Sequence, residues 1–302
     1  MASPFPGRII YVPGKGAKPD ALLHRALLWR ALQAGLTAAQ PACAAALDGD
    51  SFALAPWNNL YYARSAQPTP DFEAIEQLLA GSWDAARDQA DAESWRVWWQ
   101  RTSRGVIDRF PSLLKVISDP ALRAVIAETD RYFSQDDSIG HDIREVLKAP
   151  LRRALAEGRP VLVIGHSLGS VIAYDALWEL THEEHITGKL DFLTMGSPLG
   201  LRFIQQRLRG ADREGAARFP HLIHEWHNIA AIGDLISLDP ELADNFSEMI
   251  ELGLAEAIID YFEGIYTHYR DAVDGLNPHR SYGYMIHPVT AARVAEWWGR
   301  KR

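Results

Sequence analysis

Short apolar runs alternate with helical patterns along most of the chain. Runs of strand length occur at residues 8–12, 51–56, 161–164, 190–195 and 222–232. The run 161–164 has no polar position, which is typical of a strand buried on both faces of a sheet. Helical patterns lie at residues 20–34, 170–180 and 288–298. This alternation predicts an α/β fold with a mostly parallel sheet and helices on both faces.

A long helical stretch interrupts the alternation. From Asp71, a suitable N-cap, to about residue 149 the pattern is almost wholly helical, punctuated by Gly81 and Pro111. The strand-and-helix pattern resumes after it. We therefore predict a single domain over residues 1–302 with a helical insertion at about 71–149.

Two aromatic groups fit either a hydrophobic core or the lining of a substrate pocket. They are Trp95, Trp98 and Trp99 on one helical face of the insertion, and Trp57, Tyr61 and Tyr62 after the run at 51–56. Tryptophans at this helical spacing belong more often to a core, whereas the second group leaves both interpretations open.

Charge and cysteine content exclude several classes of protein. Thirty-one Lys and Arg face 39 Asp and Glu, for a net charge of −8. This argues against a nucleic-acid binder and against a polybasic membrane anchor. The single cysteine, Cys43, excludes an internal disulfide and a multi-cysteine metal site. The sequence shows no export signal and no run of about 18 apolar residues, so we expect a cytoplasmic protein without a transmembrane segment.

The pentapeptide Gly165-His166-Ser167-Leu168-Gly169 is the main chemical motif. It directly follows the strand at 161–164 and directly precedes a helix, the setting that a nucleophile elbow requires. A serine on such a turn presents its hydroxyl above the sheet, and flanking glycines remove side chains that would clash. Because the helix begins at the serine, the N–H of Leu168 is placed to stabilise an oxyanion.

The segment VLVIGHSLGSVIAYDAL resembles the nucleophile elbow of α/β-hydrolase-fold lipases and esterases. The resemblance implies that fold, with a triad in the order serine, acid, histidine. Asp234 is the candidate acid, because it follows a strand and Gly233 in the manner of the family's acid loop. Asp239 is a nearby rival, while Asp191 precedes its strand and so lies at the wrong edge of the sheet.

The candidate base is His279, in a loop before the last helix that resembles the catalytic-histidine loop of several lipase-like proteins. A triad base needs a loop that reaches back over the elbow. His287, at the start of the last helix, is the alternative, and a histidine there could instead cap or pack the helix. His268 is a third candidate.

The turn after the first strand completes the resemblance. Tyr11 to Gly16 resembles the family's oxyanion loop, although Pro13 stands where the family usually has histidine. Glycines on both sides of Lys15 would let its N–H approach the substrate, so we expect Lys15 and Leu168 to supply the two oxyanion donors. The stretch at about 71–149 lies outside the resemblance, and in this family such insertions form caps over the active site.

No cofactor is indicated. The chain has no G-x-G-x-x-G or Walker sequence. No metal is predicted, because on a strand His221 and His227 would face one side and His224 the other, so the three would not converge. We expect a serine esterase or lipase-like hydrolase that acts on a small ester or lipid. The alternatives are an acyltransferase or thioesterase on the same triad, and a binding module that keeps the fold without catalysis.

Overall fold

Six parallel strands form the central sheet of the computed structural model. The model describes residues 7–62, 67–94, 127, 129–134, 138–272 and 275–300, and residues 95–103 by their backbone only. The strands are β1 (Arg8–Val12), β2 (Phe52–Leu54), β3 (Val161–His166), β4 (Leu190–Met195), β5 (Ile223–Ile229) and β6 (Ala257–Tyr261). Their order is β2-β1-β3-β4-β5-β6, and every neighbouring pair is parallel. The predicted α/β fold is confirmed.

Helices connect the strands. In chain order they are α1 (Ala21–Ala39), α2 (Pro41–Ala46), α3 (Asn58–Tyr61), α4 (Phe72–Leu79), α5 (Ala85–Ser103), α6 (Ile139–Ala156), α7 (Leu168–His182), α8 (Arg202–Gln205), α9 (Leu242–Asn245), α10 (Ser247–Glu251), α11 (Ser281–Ile286) and α12 (Pro288–Arg300). Two further strands, β7 (Arg270–Asp271) and β8 (Gly275–Leu276), form an antiparallel pair apart from the main sheet. None of the helices in the described part of the chain has a stretch apolar enough to cross a membrane.

Both faces of the sheet are buried, because helices pack against each of them and consecutive strand residues point to opposite sides. In β1, Ile10 and Val12 pack in one core with residues of α6 and α7. Ile9 and Tyr11 pack in a second core with residues of α1, α11 and α12. All of these side chains are fully covered, which explains why the strands read as continuous apolar runs.

Several element ends differ from the predicted ones. Helix α1 begins after Asp20, whose carboxylate accepts from the N–H groups of Leu22 and Leu23, and continues to Ala39 rather than 34. Strand β5 ends at Ile229, before the predicted 232, and Ala230 N–H donates the last backbone hydrogen bond to β6, at the carbonyl of Tyr261. Strand β6 was not predicted from the sequence.

The insertion is attached to the domain at both of its described ends. Near its start, Asp88 on α5 is fully buried and accepts from Arg270 Nε (2.6 Å) and pairs with His268 Nδ1 (2.9 Å). Towards its end, Tyr132 donates to buried Asp175 on α7 at 2.8 Å. The side chains of Trp95, Trp98 and Trp99, and all of Pro111, lie outside the described residues. The role of this stretch as a cap remains a prediction.

Candidate active site

The candidate site lies at the edge of the sheet where the strands reach their carboxyl ends. From β1 the chain continues to β2 on one side of β1, and it then returns to β3 on the other side. In parallel sheets such a change of direction opens a crevice between the loops that follow the two strands, and ligands bind there. The turn with Lys15 follows β1, and Ser167 follows β3.

Ser167 stands on a sharp bend between β3 and α7. Its backbone has φ 54° and ψ −131°, a conformation that residues with a side chain rarely adopt. A Cβ on Gly169 would lie 2.2 Å from the carbonyl oxygen of Val12, and one on Gly165 would lie 2.6 Å from the Cα of Ser170. The two glycines of the motif are therefore required by close backbone contacts on both sides of the serine.

A continuous chain of hydrogen bonds joins three of the predicted residues. His279 Nε2 lies 2.9 Å from Ser167 Oγ, and His279 Nδ1 lies 2.9 Å from both carboxylate oxygens of Asp234. Because an ionised carboxylate only accepts, Nδ1 carries the hydrogen and Nε2 is left to accept the serine proton. Ser167 is 1% exposed, whereas the imidazole of His279 is 25% exposed.

Asp234 stays ionised although it is buried. Burial raises the pKa of its carboxyl, but the charge and hydrogen bond of His279, the hydroxyl of Tyr284 and the N–H of Ile236 together hold that pKa below its ordinary value. Tyr284 donates to Asp234 Oδ2 at 2.6 Å and accepts from Ala231 N–H at 2.9 Å. The carboxylate is thereby fixed in both charge and orientation.

Two side chains hold the loop that carries the imidazole. His166 Nε2 donates to the carbonyl of His279 at 2.8 Å, and Thr267 Oγ1 donates to the carbonyl of Pro278 at 3.0 Å. Burial, with a contribution from nearby His279, drives the pKa of His166 well below its ordinary value, so this ring is neutral. Gly196, at φ 53°, lies close to the acid and the imidazole, since a Cβ on it would be 2.6 Å from Asp234 Oδ2 and 3.0 Å from His279 Nδ1.

The rival histidines lie elsewhere and have other partners. His287 Nδ1 accepts from Val289 N–H at 3.2 Å, and burial, with His268 nearby, lowers its pKa to about 4. His268 stacks on Trp83 with ring centroids 4.9 Å apart and pairs with Asp88.

The rival acids are also engaged away from the imidazole. Asp239 accepts from Glu241 N–H and from the side-chain amide of Asn245. Asp191, near the amino end of β4, pairs with Arg300 at 3.2 Å.

The turn with Lys15 lies against the elbow. A Cβ on Gly14 would lie 2.7 Å from Ser167 Cβ, so the two loops touch. Leu168 is the first residue of α7, and the N–H groups of a first helical turn have no carbonyl partner within the helix. The structure thus brings the turn that contains Lys15, and the start of α7 at Leu168, beside Ser167. The role of the Lys15 and Leu168 N–H groups as oxyanion donors remains a prediction.

Comparison with models of protein families, with curated proteins and with solved structures finds no match for this chain. Any activity assigned to it therefore rests on the residues of the site. Among them, Ser167, Asp234 and His279 form one hydrogen-bonded chain.

Sequence reasoning missed several residues that shape the site. Tyr284, His166 and Thr267 act through hydrogen bonds to distant parts of the chain, and Asn58 holds the turn after β1. Trp57, which the sequence offered as core or pocket lining, is buried and donates to the carbonyl of Pro13. His166 is part of the pentapeptide, but its identity there carried no signal. Gly196 directly follows β4 at the same edge of the sheet, and its place after an apolar run is the only signal that the sequence carries for it.

The three spaced histidines do not converge. His221 Nε2 lies 2.8 Å from the carbonyl of Ala216, and His227 lies near Glu225 and Tyr261. His224 approaches Glu225 and Glu256 with ligand atoms within 4.8 Å of one another, at the amino end of β5 and therefore away from Ser167.

Proposed function

We propose that this protein is a serine hydrolase of the α/β-hydrolase type that cleaves carboxylic esters through an acyl-enzyme. The observation that carries the proposal is the chain of hydrogen bonds from Ser167 Oγ through His279 to Asp234. The strained serine backbone and the neighbouring turn at Lys15 also support it.

The reaction follows from the roles that these groups can fill. Ser167 Oγ attacks the ester carbonyl while its proton passes to His279 Nε2, and the resulting imidazolium is stabilised by Asp234. In this proposal the N–H groups of Lys15 and Leu168 bind the oxyanion, an interaction worth about 3 kcal/mol per donor in other enzymes. His279 then gives the proton to the departing alcohol, and water hydrolyses the acyl-enzyme by the same route.

The experiment compares Ser167→Ala with Ser94→Ala, an exposed serine on α5 that serves as the matched control. Hydrolysis of short-chain nitrophenyl esters and labelling by a fluorophosphonate probe are measured for both variants. Ser167→Ala should lose both signals with little change in Tm, and the control should keep them.

Three outcomes separate this function from its alternatives. Turnover retained in Ser167→Ala would reject the nucleophile, and a wild-type protein that takes no probe would indicate a binding module. If added alcohol or thiol acceptors trap the acyl group in preference to water, the same triad serves an acyltransferase.

A further inference from the structure

Two consecutive side chains after β2 hold the turn that follows β1. Trp57 Nε1 donates to the carbonyl of Pro13 at 2.7 Å, and Asn58 Nδ2 donates to the carbonyls of Gly14 and Gly16, each at 2.9 Å. Trp57 is 1% and Asn58 2% exposed. These residues belong to no part of the triad, yet they bind the carbonyls on both sides of Lys15.

We propose that Asn58, supported by Trp57, is a positioning residue that sets the N–H of Lys15 for the oxyanion formed at Ser167. This inference rests on the proposed function. Asn58 acts through the backbone of the turn and does not itself touch the reacting atoms.

The geometry of the peptide bond explains how a hydrogen bond to a carbonyl of the turn can orient the N–H of Lys15. In a trans peptide the C=O and the following N–H point in opposite directions. Because Asn58 holds the carbonyl of Gly14, the N–H of Lys15 is directed away from Asn58. The next peptide is fixed from both sides, since Gly16 N–H donates to Tyr62 Oη at 3.1 Å and the carbonyl of Lys15 accepts from Lys18 Nζ at 2.5 Å.

The turn that Asn58 and Trp57 hold packs closely against the elbow. The position of a Cβ on Gly14 lies 2.7 Å from Ser167 Cβ and 2.9 Å from His166 Nδ1. Any movement of the turn therefore changes its distance from the nucleophile. Displacements of about 1 Å in a catalytic group can cost on the order of 100-fold in rate.

Packing alone does not explain an asparagine at this position. Asn58 Oδ1 is buried and has no hydrogen-bond partner within the described part of the chain. An unsatisfied buried acceptor destabilises the fold, and a leucine would fill a similar volume without that cost. The two donated hydrogen bonds are the feature that a leucine could not supply.

The test replaces Asn58 by Asp, which keeps the shape and removes both donors when ionised. Asn59→Asp is the matched control, because Asn59 is the next residue of α3 and is exposed. We measure kcat and KM for a nitrophenyl ester and for its thiono analogue, whose sulfur accepts hydrogen bonds poorly. Asn58→Asp should lower kcat by about 10- to 100-fold with KM within about twofold, and should shrink the preference for the oxygen ester. The control should match wild type in all three quantities.

Asn58→Ala is measured as well, since it buries no charge and tests the role of Asn58 if Asn58→Asp does not fold. A folded Asn58→Ala with wild-type kcat and ester preference would overturn the inference, as would a lower kcat with an unchanged preference. In both cases wild type remains an active hydrolase. A wild-type protein without Ser167-dependent hydrolysis would instead overturn the proposed function, and this inference with it.

Discussion

The elbow at Ser167 and the loop of His279 meet at one hydrogen bond but are built differently. The elbow consists of the five consecutive residues 165–169, at the junction of a strand and a helix that are both buried. The imidazole reaches Ser167 across 112 residues of sequence and Asp234 across 45. Neighbouring residues thus fix the nucleophile, whereas the base is placed by contacts between distant segments.

The two regions also differ in what holds them. The elbow is held by backbone contacts that leave no room for a side chain at Gly165 or Gly169. The histidine loop is held by separate hydrogen bonds from His166 and Thr267. Substitutions at Gly165 or Gly169 should therefore destabilise the whole fold. Loss of a single hydrogen bond to the histidine loop should instead lower activity by a limited amount.

The largest expected effect separates His279 from His287. His279→Asn should lower kcat by about 10⁴-fold or more, because no group remains to accept the serine proton. His287→Asn should keep kcat within about threefold, since its side chain can still accept from Val289 N–H. Ester hydrolysis by the two variants measures this directly. Equal losses in both would show that the two histidines are not distinguished as the structure indicates.

A smaller effect, on stability, tests the elbow. Gly169→Ala places a Cβ 2.2 Å from a backbone oxygen, which cannot rotate away, so we expect a loss of about 3 kcal/mol or more in the free energy of unfolding. Gly299→Ala is the matched control, because it lies in α12 with open space around it, and alanine there should stabilise by up to about 1 kcal/mol. Urea unfolding measures both. A Gly169→Ala protein as stable as wild type would contradict the close contact.

The smallest effect concerns the acid. Tyr284→Phe removes a hydrogen bond to a charged group, which should cost about 2 kcal/mol of stability. The substitution also removes one of the hydrogen bonds that keep the pKa of Asp234 below its ordinary value. A carboxylate with a depressed pKa in the folded state stabilises the protein above its unfolded pKa, and that contribution is lost as pH falls through the folded pKa.

The Tyr284→Phe protein, whose folded-state pKa of Asp234 is less depressed, should therefore lose less stability than wild type when acidified below about pH 4, and the difference between the two proteins should shrink as pH falls. Urea midpoints across an acid pH series measure this difference. Identical pH profiles would mean that the hydroxyl does not influence Asp234.

Part of the fold and site was predictable because its cause lies in adjacent residues. The apolar run before Ser167 and the glycines around it were sufficient to predict the strand, turn and helix that the structure contains. Strand β6 was missed although its Ile258 and Ile259 form a short apolar pair. The alanine- and glutamate-rich residues around it are typical of a helix, but the segment forms a strand because it pairs with β5.

The supporting residues could not be predicted because their roles depend on pairs far apart in sequence. Tyr284 meets Asp234 across 50 residues, and Asn58 meets Gly14 across 44. Neither residue type has a local pattern that marks it. The sequence also left His279 and His287 as alternatives, since both lie near the start of the last helices.

The sequence by itself determined the layered α/β arrangement and the strand–turn–helix at Ser167, because steric limits and hydrophobic periodicity act between neighbours along the chain. The tertiary structure alone decided which imidazole lies beside the serine hydroxyl and which side chains hold the turn at Lys15. Hydrogen bonds across such separations form only after the sheet, its helices and the connecting loops have packed, so their partners follow from the complete path of the chain.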